Sequence, residues 1–222
     1  MIHYKKWIFR KFLDYLANSA TPKKFRNRQY IIFKEIELFK EKLKMKNALI
    51  LYHSKTGNTE KVALAIKRGL EKSGYQIDVK KISEVSGNNL LNYDLVCFGS
   101  PVYHSLPPPA VLNFIKRNDK RYRKLGEVRL ASPKLLNKNA IVFCTYSGPH
   151  CGINEAIPTG KYLCQFFEHL GFGVKAEWYE VGEFHEWRAG SVKGRLGDIR
   201  GRPNEEDLAL VELKTIQLVK SL

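Results

Sequence analysis

From residue 47 onward, short apolar runs alternate with stretches whose apolar residues recur every three or four positions, and this alternation constrains the fold more than any other feature. Ala48 to Tyr52 is an apolar run, and Thr59 to Lys72 then places Val62, Ala63, Ile66 and Leu70 on one helical face. Tyr75 to Ile82 alternates apolar with polar residues like a half-buried strand. Tyr93 to Gly99 is nearly continuously apolar, as strands covered on both faces are. The same reading gives a helix over Pro108–Arg117, a strand over Ala140–Tyr146, a helix over Asn154–Leu170, a strand over Val174–Val181 and a closing helix over Glu205–Lys220. Five strands alternating with helices predict an α/β fold: a doubly wound parallel sheet with helices on both faces and right-handed crossovers.

In such a sheet a ligand sits beyond the carboxyl ends of the strands, where the strand order reverses. The loops Ser54–Asn58, Ser100–Pro107, Ser147–Ile153 and Gly182–Asn204 should therefore share one site. The connection Asn118–Lys138 falls on the opposite edge, where its run Lys120-Arg121-Tyr122-Arg123-Lys124 is expected to be a solvated surface. The first of these loops reads Ser54-Lys55-Thr56-Gly57-Asn58-Thr59 at the start of a helix. Hydroxyls and helix N-terminal amides converging there suit a phosphate. One residue would suffice to cap the helix. Neither GxxxxGK[ST] nor GxGxxG is present, so the pattern suits a terminal phosphate monoester rather than a P-loop nucleotide or a dinucleotide.

This loop resembles the flavodoxin family, whose phosphate loop reads S/T-x-T-G-x-T directly after the first strand, and the element order matches over residues 47–222. The resemblance implies the strand order 2-1-3-4-5 and non-covalently bound FMN, with Ser54, Lys55, Thr56, Gly57, Asn58 and Thr59 around its phosphate. It further implies that Ser100, Pro101, Val102, Tyr103 and His104 flank the isoalloxazine ring, with Tyr103 able to stack on it. In the loop after the fourth strand, Thr145, Tyr146, Ser147, Gly148, Cys151 and Gly152 are implied as cofactor contacts, with Tyr146, Gly148, Cys151 and Gly152 at the pyrimidine edge, which backbone amides of the loop face. Gly99 is expected to relieve crowding at the end of the third strand. Gly-Ser-Pro-Val-Tyr at 99–103 looks more like the quinone-reductase and iron–sulfur-flavoprotein side of the family than like short electron-transfer flavodoxins. His104 and His150 are the histidines of these two loops. No acid–base pair or nucleophile stands out, as expected where a cofactor does the chemistry.

Composition places the partners. The chain has 222 residues and a net charge of +16. Residues 1–46 hold thirteen Lys/Arg against four Asp/Glu in two amphipathic helical stretches broken at Thr21-Pro22, so they are expected to form a basic helical extension. Two readings of that extension stand: a peripheral anchor on anionic lipid, or a hairpin packed on its own domain or on a second subunit. No groove-reading or RNA-binding signature accompanies the charge, which argues against nucleic acid. Cys97, Cys144, Cys151 and Cys164 show no CxxC spacing. They read as reduced cysteines of a cytoplasmic protein, and the missing cluster motif weakens an iron–sulfur assignment. The 182–204 connection, rich in arginine, could receive an acidic redox partner or the phosphates of NAD(P)H. Three activities follow: an FMN-dependent electron carrier, an NAD(P)H-dependent quinone or FMN reductase, and a cofactor-free interaction domain.

Overall fold

The computed structural model describes residues 45–85 and 89–222. The helical extension and lipid anchor expected over residues 1–46 lie, but for residues 45 and 46, outside the described residues. The elements are β1 (Asn47–Tyr52), α1 (Asn58–Lys72), β2 (Gln76–Lys81), β3 (Leu95–Pro101), α2 (Pro109–Lys124), β4 (Asn139–Tyr146), α3 (Ile157–His169), β5 (Gly173–Val181), α4 (Arg188–Lys193) and α5 (Glu205–Val219). All strands pair in parallel in the order β2-β1-β3-β4-β5, as expected. Among the described residues no helix is long and apolar enough to cross a membrane.

The period of two along each strand sorts its side chains into two cores. Leu49, Leu51, Val96, Phe98, Val142 and Cys144 face one side, where Val111 and Phe114 of α2 and Leu163 and Phe167 of α3 cover them. Ala48, Ile50, Leu95, Cys97, Ile141 and Phe143 face the other, under Val62 and Ile66 of α1 and Leu208 and Val211 of α5. Cys97, Cys144 and Cys164 are buried as small core residues, and Cys151 is exposed. Burial pushes the Cys97 and Cys144 thiols far up, so neither is a nucleophile.

Two boundaries differ from the sequence reading by three residues or more. Helix α2 continues through the basic run to Lys124, where Arg121, Arg123 and Lys124 complement the negative end of the helix dipole. Within that run Tyr122 is fully buried rather than solvated. Its hydroxyl accepts from the Leu90 amide at 2.8 Å and donates to Asn89 Oδ1 at 3.2 Å. Tyr122→Phe should cost about 1–2 kcal/mol by leaving the Leu90 N–H without a partner, a loss measurable in urea unfolding; an unchanged midpoint would contradict that role. Helix α3 begins later than expected because a short 3-10 turn, Gly152–Glu155, precedes it and Pro158 occupies its first turn.

Candidate functional site

At the carboxyl ends of the strands a cleft of about 800 Å³ opens, bounded by the loops after β1, β3, β4 and β5. Strand order reverses between β1 and β3, so the cleft stands where a doubly wound sheet places its ligand.

One wall is the start of α1. Gly57, at φ 96°, takes the left-handed conformation at the helix N-cap and offers no side-chain cap. Ser54 Oγ accepts the Gly57 amide at 3.1 Å and folds the loop back on itself. Ser54, Thr56, Asn58 and Thr59 line the cleft around this uncapped helix end. Deeper in, the buried hydroxyls of Thr59 and Thr145 lie 2.7 Å apart. One donates to the other, which leaves a single hydroxyl proton for a ligand oxygen. The loop after β1 thus turns hydroxyls and a helix N-terminus to the cleft and carries no carboxylate between Ser54 and Thr59, which suits an anion.

The loop after β3 turns tightly. His104 (φ 49°) and Ser105 (φ 63°) are both left-handed, and the Tyr103 and Leu106 amides and carbonyls exchange hydrogen bonds at 2.9 and 3.0 Å. Two non-glycine residues at positive φ cost on the order of 1–3 kcal/mol each. Thr159 Oγ1 donates to the Ser105 carbonyl at 3.1 Å, and Pro107, Pro108 and Pro109 stiffen the exit. The turn holds the ring of Tyr103, 40% exposed, at the cleft. Burial is the main reason its phenol is pushed up, so Tyr103 is a neutral aromatic surface.

The loop after β5 supplies the facing wall. Trp187 is 43% exposed and meets Phe184 edge-on at 5.8 Å and His150 at 6.0 Å. Asn58 joins this loop to the loop after β1: its amide donates to the Glu183 carbonyl at 3.0 Å, and its Oδ1 is 3.4 Å from His185 Nε2. Above them Lys55 and Glu186 form an exposed ion pair at 2.7 Å, worth little in water. Each of the two is shifted toward its charged form by the hydrogen bond to the other.

Most residues expected from sequence meet here: Ser54, Lys55, Thr56, Asn58, Thr59, Pro101, Val102, Tyr103, His104, Thr145, Tyr146, Ser147 and Gly148 all line the cleft. Gly57, Ser100, Cys151 and Gly152 do not. Gly57 shapes the loop, and the buried Ser100 hydroxyl donates to the Pro101 carbonyl. The amides of His150 and Cys151 both donate to Glu155 Oε1, at 2.8 and 2.5 Å, and that of Gly152 donates to the Gly148 carbonyl. Those three donors are satisfied within the loop rather than turned to a ligand. The sequence reading brings the Gly182–Asn204 connection to the site as a whole but names none of Glu183, Phe184, His185 and Glu186 as a cofactor contact; the excess length of the connection is the signal that something covers the cleft. Two of that connection's arginines are held locally, Arg200 by Asp198 at 2.5 Å and Arg202 by Asp207.

Residues 49–145 match the model of the flavodoxin domain family. The NAD(P)H dehydrogenase (quinone) of Archaeoglobus fulgidus is 24% identical over 198 residues, covering 76% of this chain and 93% of that protein. A flavodoxin from Clostridium beijerinckii is 42% identical over 50 residues, 22% of this chain and 36% of its own. In fold, the chain resembles oxidised flavodoxin 1 from Bacillus cereus with a TM-score of 0.57 at 18% identity, over 80% of this chain and 99% of that one. With the sheet order, these likenesses give the chain a flavodoxin-like fold, with a flavodoxin-domain match over residues 49–145.

Proposed function

We propose that the cleft binds FMN by its phosphate and that the protein is an FMN-dependent redox protein, passing electrons between a donor and an acceptor docked at the cleft. The observation that carries this reading is the uncapped N-terminus of α1 at the switch point, ringed by Ser54, Thr56, Asn58 and Thr59. Its amides and dipole favour a phosphate dianion. Tyr103 and Trp187 offer aromatic faces for a planar ring. Val102, Pro107, Pro108 and Leu112 provide an apolar lining that excludes water from it. Bound FMN would supply the electron-accepting ring; the chain holds and orients it.

The likeness to the Archaeoglobus enzyme over most of its length favours a second reading, in which NAD(P)H is the donor and a quinone or similar compound the acceptor. Purified protein, reconstituted with FMN and titrated anaerobically with NADH, NADPH and dithionite, separates the two. Rapid bleaching by a nicotinamide identifies a reductase. Bleaching by dithionite with slow nicotinamide reduction identifies a carrier fed by another protein. A colourless protein that takes up no FMN overturns both and leaves the cofactor-free interaction domain.

A further inference from the structure

The edge of the sheet opposite the cleft carries a surface that flavin chemistry does not use. Residues 47–222 hold twenty-five Lys/Arg and eighteen Asp/Glu, and residues 116–138 alone hold nine and two. The whole +7 excess of the folded domain therefore sits in 23 consecutive residues, the C-terminal half of α2 and the loop that follows. Lys116, Arg117, Lys120, Arg123, Lys124, Arg129 and Lys134 are exposed. The helix dipole accounts for a favourable place for the last few of α2, but not for Arg129 or Lys134 beyond it.

Set among these charges are two leucines with almost no protein contact: Leu130 is 99% and Leu136 91% exposed. Each sits just before a left-handed residue, Ala131 (φ 61°) and Asn137 (φ 58°), so each rides on a turn that lifts it off the surface. The loop beneath is tied down. The Leu135 amide donates to the Gly171 carbonyl at 2.8 Å, and Lys138 Nζ donates to the Tyr93 carbonyl at 3.0 Å.

We infer that this face docks on an anionic lipid surface, the basic side chains meeting headgroups while Leu130 and Leu136 enter the acyl boundary, with the cleft turned toward water. Charge complementarity selects the anionic surface. The shape selects lipid over an acidic protein: protruding leucines on separate turns offer no pocket for a packed hot spot, whereas a fluid interface accepts both without complementary form. Nucleic acid lacks a stacking partner, since the aromatic ring of the run, Tyr122, is buried. The loop leads into Asn139 at the amino end of β4, and the cleft lies beyond the carboxyl ends, about 25 Å away at the rise of a strand. Docking there leaves the cleft open to a redox partner.

Full-length protein sedimented with vesicles tests this inference, using phosphatidylcholine alone and phosphatidylcholine with phosphatidylserine. Binding is expected only to the anionic vesicles and should fall with added salt. K120E/K124E/K134E should bind about 100-fold more weakly, at roughly fivefold per basic side chain. L130S/L136S should bind about 10-fold more weakly. All these side chains are exposed, so thermal midpoint and FMN uptake should match the wild type. Failure of the wild type to bind anionic vesicles, or wild-type binding by either variant, overturns the inference; the latter would assign attachment to another part of the chain, such as residues 1–46.

Discussion

Thr56→Asp should weaken FMN binding about 100-fold while changing riboflavin affinity by less than about twofold. Thr56 is exposed at the tip of the loop after β1 and lines the cleft beside the start of α1. A carboxylate there is compatible with folding, because an acidic side chain near a helix N-terminus is itself favoured. It competes with a phosphate dianion for the same amides and repels it, at an expense of about 3 kcal/mol for charges several Å apart in a partly screened site. Riboflavin lacks the phosphate and should not register the change. Titrating cofactor-free protein with each flavin and following flavin fluorescence reads both affinities. Equal weakening of the two would mean that the loop acts on the ring or on folding. Undiminished FMN affinity would place the phosphate elsewhere, and T56S should restore wild-type behaviour by returning a hydroxyl.

The loop that T56D probes was legible in the sequence because it is local: Ser54 to Thr59 are contiguous, and one uncapped helix turn gathers them. Strand order followed from alternation and the crossover rule, which need no knowledge of side-chain contacts. The end of α2 was not legible. Val111, Phe114, Ile115 and Tyr122 share one buried face, but Asn118 occupies the intervening turn and charges surround Tyr122, so the apolar period fades after Ile115. The link from Asn58 to Glu183 and His185 joins residues about 125 positions apart and leaves no trace in spacing. The length of the connection after β5 announced a cover for the cleft, but neither α4 nor the meeting of Trp187 with His150 could be read from it. What sequence reveals here is whatever a single element decides; contacts between loops wait for the fold.

Gly99→Ala is expected to cost about 3 kcal/mol and to lower the melting temperature by roughly 6–12 °C for a domain of this size. Sequence reading placed Gly99 where crowding must be relieved, and the structure shows that the crowding comes from within the sheet. A Cβ on Gly99 would lie 2.2 Å from Cε2 and Cζ of Phe143, its neighbour across β4. Phe143 is fully buried against α1 and α5, so its ring has no free volume to turn into. Gly99 and Phe143 should therefore be energetically coupled, not merely each sensitive to substitution. Phe143→Leu alone should destabilise by leaving a void, yet G99A/F143L should be more stable than G99A, because the shortened side chain makes room for the added methyl. Denaturant unfolding of the four proteins gives the coupling energy directly. Additive losses would show that Gly99 is required for its backbone rather than for the ring opposite. The His53 amide donates to the Gly99 carbonyl at 3.1 Å just before the Ser54–Thr59 loop. Restored stability in the double variant should therefore bring back FMN affinity together with the fold.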